Sequence, residues 1–178
     1  MRWLAIALLA ATPASAEEDP AQFGTTNPEE MTLGTVVERA LTGEVDMMVC
    51  ANGYLATKAG RHVIARQIFE ACSAAGYTAA MNWMSQLDHN GLGAPEDPAR
   101  ATGWSREAAA IGDPVSKFNH GIDMMRGRGV ARDEGAGRAL VDEAAAAGLD
   151  IARRLQAAEY DLEAVTPDAD AWKFRPLY

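Results

Sequence analysis

Residues 91–97 (GLGAPED) and 127–133 (GRGVARD) carry the same Gly-x-Gly…Asp pattern at a spacing of 36 residues. The same 36-residue spacing holds outside these turns, since Gly112 and Gly148 are also 36 residues apart within the repetitive stretch 76–148. A fixed period of this size is typical of a solenoid whose units cannot bury their apolar faces alone. The sequence therefore predicts stacked repeats. Because stacked units present an extended surface, we expect an interaction protein and no enzymatic activity.

The third unit, residues 112–147, is predicted to be a hairpin of two antiparallel helices. Asp113 supplies an N-cap and Pro114 a first helical residue. One apolar face recurs at helical spacing, in Phe118, Ile122 and Met125. The second unit follows the same pattern, with Asp97 and Pro98 opening its second helix. Each unit is therefore expected to be an αα-hairpin.

The glycines of each turn have a conformational purpose. The first can take the left-handed conformation that ends a helix, and the second helps the chain to turn back before an aspartate caps the next helix. The residues in these structural roles are Gly91, Gly93 and Asp97 in the second unit, and Gly127, Gly129 and Asp133 in the third.

The ends of the repeat region are degenerate. In the first unit, Leu55, Thr57 and Arg61 replace Gly, Gly and Asp, and residues 51–53 (ANG) are an alternative helix end. One helix over 150–164 is expected to cap the stack, because terminal units face solvent on one side. The predicted architecture is all-α, with about three repeats and a capping helix in residues 41–165.

The first residues predict export. Arg2 precedes an uncharged apolar run over residues 3–11, and residues 14–16 (ASA) form a small-x-small cleavage pattern. Such a run is too short to span a bilayer as a helix. We expect residues 1–16 to be a signal peptide cleaved after Ala16, and residues 17–40 to be a flexible arm with a leading helix. The predicted location is periplasmic or secreted.

The charge of the chain restricts its partners. The formal net charge is −9, with a pI near 4.8. A chain with this charge does not attract nucleic acid or an anionic membrane surface, and it favours a basic patch on a partner. After the signal run there is no second hydrophobic stretch of membrane-spanning length. We therefore expect no stable membrane insertion and no nucleic-acid partner.

Cys50 and Cys72 are the two cysteines of the chain. An even number suits a disulfide in an oxidising compartment. With a turn near residues 58–60, the two cysteines are offset by about 6 Å along their helices, which makes a bridge feasible. The alternative is two buried free thiols.

Motifs for catalysis, metal binding or cofactors are absent from the sequence. The Gly-x-Gly turns follow helices instead of strands and lack the third glycine of a dinucleotide loop. No histidine pair has ligand spacing, and no serine lies in a nucleophile-elbow motif. His89 near a helix end is expected to complement the helix dipole, and His120 to be a satisfied core histidine. No catalytic, metal or cofactor residue is predicted.

The C-terminal tail, residues 166–178, crowds aromatic groups into a short segment. It contains the candidate partner-binding residues Trp172, Phe174, Arg175 and Tyr178. Two interpretations stay open. The tail either folds back over the capping helix or serves as a peptide that docks on a partner, with Trp, Tyr and Arg as anchors.

Residues 44–164 resemble the Sel-1-like repeat, through 127–133 (GRGVARD), 144–148 (AAAAG) and their second-unit equivalents. The resemblance implies a tetratricopeptide-type right-handed superhelix that acts as an adaptor. Exported relatives are linked to envelope signalling and assembly of membrane complexes, and the cysteine-rich ones bridge the helices of a unit. The partner implied is an unidentified envelope or membrane protein. A small-molecule or peptidoglycan-binding module, or a cell-wall or β-lactam hydrolase, is the alternative.

Overall fold

A computed structural model describes residues 32–165. The predicted signal peptide and the candidate residues Trp172, Phe174, Arg175 and Tyr178 lie outside this range. The described chain folds into α-helices without strands. The helices are α1 (Leu33–Leu41), α2 (Met47–Lys58), α3 (His62–Ala74), α4 (Thr78–His89), α5 (Pro98–Ile111), α6 (Pro114–Arg126), α7 (Glu134–Ala146), α8 (Asp150–Ala157) and α9 (Leu162–Val165).

Three helical hairpins, α2–α3, α4–α5 and α6–α7, are stacked in chain order. α1 packs on the first hairpin, and α8 packs on the last. α4 also contacts α6, so the first helices of these two hairpins lie side by side. This arrangement confirms the predicted all-α solenoid of αα-hairpins.

The 36-residue period appears directly in the backbone hydrogen bonds between hairpins. At each junction, the residue after a glycine with positive φ donates its N–H to a carbonyl five residues earlier. The three bonds are Tyr77 N to Cys72 O (3.1 Å), Asp113 N to Ala108 O (3.2 Å) and Leu149 N to Ala144 O (3.0 Å). The register therefore includes the degenerate first unit.

The turns within hairpins follow the same period in the second and third units. Asp97 N donates to Asp88 O and Asp133 N to Met124 O, both at 2.9 Å. The two aspartates also cap their helices, since Asp97 accepts from Arg100 N at 3.0 Å and Asp133 from Ala136 N at 2.9 Å. The first hairpin turns through Gly60 instead, and α3 begins without a side-chain cap.

Gly129 joins one hairpin to the preceding one. Its φ is +70°, and a Cβ at this position would lie 2.0 Å from the Pro98 carbonyl oxygen at the start of α5. Gly93 has the equivalent place, since its Cβ would lie 2.7 Å from the carbonyl carbon of His62 at the start of α3. The second glycine of each turn thus permits close approach between units, in addition to turning the chain.

The structure decides against the alternative helix end at residues 51–53. Gly53 lies inside α2, and a Cβ there would be 2.6 Å from the Phe69 ring. The glycine is present because α2 and α3 approach closely at this point.

The helix predicted over 150–164 is wrong in its length. α8 ends at Ala157, Glu159 and Tyr160 have φ values of 54° and 63°, and α9 is a separate short helix. The Tyr160 hydroxyl donates to Asp142 Oδ1 at 2.6 Å, and Arg138 lies 4.9 Å from the Tyr160 ring. These contacts with α7 hold Tyr160 in a conformation that interrupts the helix.

Candidate interaction groove

Equivalent positions on the first helices α2, α4 and α6 line two pockets, which α4 separates and which are together called the groove here. At the 36-residue spacing, one such set is Met47, Trp83 and Asn119, and a second set is Tyr54, Asn90 and Arg126. The two positions of each helix are seven residues apart, so they share a helix face. The groove therefore changes from apolar at the first unit to polar and cationic at the third.

An apolar pocket of about 280 Å³ lies between α2 and α4. Its aromatic wall is built by Trp83, whose ring is stacked on Phe69 with centroids 6.0 Å apart and contacts Tyr54 at 5.3 Å. Cys50 and Met47 complete one side. Met47 is 75% exposed, and Tyr54 is 41% exposed. Aromatic and methionine side chains at such a pocket suit an apolar anchor of a ligand.

A polar pocket of about 260 Å³ lies between α4 and α6, where Ile151 of α8 also lines it. His89, the last residue of α4, is buried there, and its Nε2 is 3.2 Å from Asp123 Oδ2 on α6. Arg128 donates to the His89 carbonyl oxygen at 2.9 Å. His89 is thus more than a complement to the helix dipole, because it links the second hairpin to the third.

Several polar side-chain groups of this pocket have no hydrogen-bond partner within residues 32–165. His89 Nδ1 is buried without a hydrogen-bond partner there. The side-chain amides of Gln86 and Asn119, which line the same pocket, also make no hydrogen bond to the described residues. A buried polar atom without a partner is destabilising, so His89 Nδ1 favours a ligand that supplies a hydrogen bond. Gln86 is exposed and Asn119 is half-buried, so water can satisfy their amides.

A buried ion-pair network lies between the first and second hairpins. Asp88 is fully buried and accepts hydrogen bonds from Arg66 at 2.7 Å, Arg100 at 2.5 Å and 2.8 Å, and Trp104 at 3.1 Å. Burial by itself raises the pKa of Asp88, but the bonds from Arg100 and Arg66 outweigh it and lower the pKa below 3.8. The network holds the two hairpins together beneath their turn, since Arg66 also donates to Leu92 O at 2.7 Å.

The cysteines, the turn residues and His120, which the sequence analysis names, all have structural roles in the described chain. The structure joins Cys50 and Cys72 in a disulfide between α2 and α3, with the Cα atoms 5.9 Å apart, in agreement with the predicted bridge. The turn glycines and aspartates hold the hairpins. His120 is buried, but it is not a satisfied core histidine because its Nδ1 has no partner in the described chain.

The groove residues were missed by sequence reasoning. Trp83, Tyr54 and the His89–Asp123 pair were not predicted to form a site. The available signal was a repeat position that varies between units. Met47, Trp83 and Asn119 are equivalent residues of successive units and differ in type, whereas the turn residues stay the same in the second and third units. Only the stacking of the hairpins shows that these positions lie together.

Metal binding and membrane crossing can each be judged from the arrangement of residues 32–165. No cluster of three or more His, Cys, Asp or Glu side chains in that range has an arrangement suited to a metal ion. No helix there has the length and apolar character needed to cross a bilayer.

Comparison with solved structures shows which fold this is. A Sel1 repeat protein from Oxalobacter formigenes matches with a TM-score of 0.58 and 22% identity, over 65% of this chain and 47% of that one. The protective antigen c5321 of uropathogenic Escherichia coli strains, which displays an SLR fold, matches with a TM-score of 0.51 and 22% identity, over 78% of this chain and 35% of that one. No family model and no curated protein matches the chain.

These likenesses, together with the stacked hairpins, define the chain as an α-helical repeat protein. Its fold is the Sel1-like repeat fold that the turn motifs indicate. The chain spans about half of the length of one matched structure and about a third of the other.

Proposed function

We propose that this protein is an exported adaptor that binds a segment of an envelope or membrane protein in its groove. The observation that carries the proposal is the pairing of an apolar pocket with a polar one along equivalent faces of α2, α4 and α6. A protein segment presents both apolar side chains and main-chain amides, so it matches both pockets.

The chemistry of the two pockets supports a polypeptide ligand. Trp83 and Tyr54 are residue types that dominate binding energy at protein interfaces. The amides of Gln86 and Asn119 each offer a donor and an acceptor, which matches the N–H and C=O groups of a peptide. Because the apolar pocket is next to a disulfide and stacked rings, its shape is largely set before a ligand arrives, which favours affinity.

Export is the second part of the proposal. It is supported by the signal-peptide pattern of residues 1–16 and by the Cys50–Cys72 disulfide, because disulfides persist in oxidising compartments. The measurement is the N-terminus of the purified protein from the producing cell. A chain that begins at Glu17 supports export, and a chain that retains Met1 in the cytosol contradicts it.

The groove is tested by photo-crosslinking in intact cells. A photoreactive phenylalanine analogue replaces Tyr54 in one strain and Asn119 in another, and Ile111, which is 59% exposed on α5, serves as the control position. We expect positions 54 and 119 to trap the same protein, identified by mass spectrometry, and position 111 to trap it at least tenfold less. Equal trapping from all three positions would remove the groove from the proposal.

A peptidoglycan or other small-ligand module is the second candidate, favoured by the unpartnered His89 Nδ1. A hydrolase activity has less support. A nucleophile would need a hydroxyl or thiol hydrogen-bonded to the free nitrogen of His89, and no such group within residues 32–165 is bonded to His89 Nδ1. Ser85, in the same pocket, is hydrogen-bonded to Ser105 at 2.9 Å. Purified protein that retains or cleaves muropeptides, with no protein trapped from position 54, would favour this candidate.

A further inference from the structure

We propose that a second copy of this chain covers the outer face of α2, so that the free protein is a symmetric dimer with its two α2 helices packed antiparallel. The inference goes beyond the proposed function and does not depend on it. Three observations carry it: α2 is apolar on two opposite faces, the spacing of its exposed residues is the same in both chain directions, and the one charge of the helix lies at its end.

The outer face of α2 is apolar although it is exposed. Val49, Gly53 and Ala56 are buried and form the inner side of the helix. The opposite side is exposed within residues 32–165 over three helical turns, and it holds no acidic residue. A helix with apolar residues on all sides is normally buried on all sides, so this outer face is expected to be covered. Its residues are Met47 (75% exposed), Met48 (64%), Ala51, Tyr54 (41%), Leu55 (59%) and Lys58.

Exposed apolar side chains are concentrated in this part of the described chain. Six of the eight large ones lie between residues 41 and 63, and the other two, Ile111 and Val115, lie around the junction of α5 and α6. Single exposed apolar residues are normal, whereas a contiguous apolar patch marks an interaction site. The six are Leu41, Met47, Met48, Tyr54, Leu55 and Val63.

The spacing of the exposed residues suits pairing of α2 with itself. Met47, Ala51, Tyr54 and Lys58 follow one another at intervals of four, three and four residues, a series that is identical from either end. When two copies of α2 lie antiparallel, Ala51 of one copy therefore faces Tyr54 of the other, and this pair occurs twice, as a two-fold axis requires. A small residue opposite a large ring lets two helices pack closely.

The charges around α2 favour the antiparallel direction. Lys58 is the one charged residue of the helix, and its Nζ lies 5.4 Å from the centre of the Tyr54 ring. Antiparallel packing keeps the two Lys58 residues about 16 Å apart, at about 1.5 Å per residue, and brings each near Asp46 of the other copy. Parallel packing would place Lys58 against Lys58. Asp46 already binds Arg39 and caps Val49 N, so it orients the pair and contributes little attraction.

The area of the face suits a weak dimer. At about 200 Å² for a large side chain, the exposed fractions of its four large apolar side chains correspond to about 500 Å² per copy, or about 1,000 Å² for a pair. This is the lower end of the range for specific interfaces. The Cys50–Cys72 disulfide fixes α2 on α3, so pairing orders little that was not ordered before. Ala51 and Tyr54 also line the apolar pocket, so an envelope protein bound there would displace the second copy.

The test is sedimentation equilibrium of the protein purified from the producing cell, over a hundredfold range of concentration. We expect a monomer–dimer equilibrium. Ala51→Glu places two acids at the centre of the paired faces and should weaken dimerisation at least tenfold. Ala110→Glu, at an exposed alanine of α5, is the matched control and should leave dimerisation unchanged. Leu55→Gln changes the same face without a charge and should weaken it at least threefold. Thermal melting of each variant checks that the fold is retained.

Salt separates apolar packing from charge attraction. Two copies of a chain with a net charge of −9 repel each other, and salt screens that repulsion. Dimerisation should therefore be at least twofold tighter in 0.5 M than in 0.05 M sodium chloride. A dimer that salt weakens would be held by ion pairs and would contradict the inference.

The direction of the helices is tested by photo-crosslinking of the purified protein. The photoreactive phenylalanine analogue replaces Tyr54 in a mixture of isotopically labelled and unlabelled chains, so that crosslinks between copies are recognised by mass. We expect these crosslinks to centre on residue 51 of the other copy. Crosslinks centred on residue 54 would indicate parallel packing, and crosslinks outside α2 would place the contact elsewhere; both overturn the inference.

The remaining outcomes also overturn it. A monomer at every concentration would mean that no second copy covers α2, and a dimer that Ala51→Glu leaves intact would use another surface. Assemblies that keep growing with concentration would replace the closed pair with an open one. If the purified protein is a monomer and position 54 still traps an envelope protein in cells, the proposed function stands and only this inference fails.

Discussion

The first and third hairpins of this protein reach the same architecture by different means. The third is held by a Gly-x-Gly turn and by the Asp133 cap on α7. The first lacks both, and instead has the Cys50–Cys72 disulfide across its two helices. Because the junction hydrogen bonds recur through all three hairpins, the lost turn motif did not change the stacking. A covalent bond and a specialised turn are alternative ways to fix one helical hairpin.

The two hairpins also present different chemistry to a ligand. The first contributes Met47 and Tyr54 to the groove, and the third contributes Asn119 and Arg126. The part of the chain stabilised by the disulfide is thus the apolar part. An apolar surface that is exposed for binding stabilises its own fold less, since it is not buried against the core, and the disulfide offsets that loss.

The largest expected loss of stability comes from breaking the Asp88 network, which joins the first hairpin to the second. Asp88→Asn should lower the free energy of unfolding by about 3–5 kcal/mol, because Arg66 and Arg100 lose the buried charge that pairs with them. The control is Glu107→Gln, an exposed acid on α5, with an expected change of about 0.5 kcal/mol or less. Urea unfolding at pH 7 measures both. Equal effects of the two variants would show that the network does not hold the hairpins together.

The Asp88 carboxylate also makes the stability of the protein depend on pH. Folding lowers the pKa of Asp88 below its unfolded value. The contribution of Asp88 to the free energy of unfolding is therefore present above about pH 4 and is lost as the pH falls through the folded pKa. Stability should therefore fall in acid less steeply for Asp88→Asn than for the natural chain.

A matched pair of glycines separates the two kinds of turn. Gly129 and Gly60 have φ values of +70° and +73°, but a Cβ at Gly60 meets nothing within 4 Å, whereas at Gly129 it meets Pro98. Gly60→Ala should cost about 1–2 kcal/mol from backbone strain alone. Gly129→Ala should cost about 3 kcal/mol or more, because the added methyl also forces the third hairpin away from α5. Similar losses in urea unfolding would show that the close approach between units is not needed.

Removing the disulfide tests whether it replaces the turn motif. Reduction, or Cys50→Ser with Cys72→Ser, should lower the free energy of unfolding by about 2–4 kcal/mol, since the bridge closes a loop with a sequence separation of 22 residues. Amide hydrogen exchange should show that α2 and α3 lose protection first, while α6 and α7 stay protected as before. An equal loss of protection in all hairpins would mean that the disulfide stabilises the whole stack.

The smallest effect concerns His120 on α6. Burial lowers the pKa of His120 below its ordinary value of 6.5, with Asp123 opposing the shift and Arg106 adding to it. The unfolded chain then binds the proton more tightly, so stability decreases as the pH falls through about 6.5. His120→Gln should make stability flatter between pH 7 and 5.5, and an unchanged slope in urea unfolding would contradict the burial argument.

The repeat architecture was predictable because its signals are local. An aspartate at an N-cap and a glycine at a left-handed position act through their own backbone, and the period of 36 residues shows their recurrence. The groove was not predictable to the same degree. Trp83 and Asn119 are separated by a full unit, and nothing local indicates that they share a surface.

The break between α8 and α9 has the same explanation. The sequence over 150–164 has a helical composition, and a helix is its local preference. The hydrogen bond from Tyr160 to Asp142 and the contact with Arg138 come from α7, so they override that preference only in the folded stack.

By itself, the sequence determined the helical hairpins, their number and their order, since caps, turns and apolar periodicity depend on near neighbours in the chain. The tertiary structure decided which side chains meet across units: the Asp88 network, the His89–Asp123 pair and the two pockets of the groove. The physical reason is that these contacts are set by how one hairpin packs on the next, and that packing is encoded by many residues together.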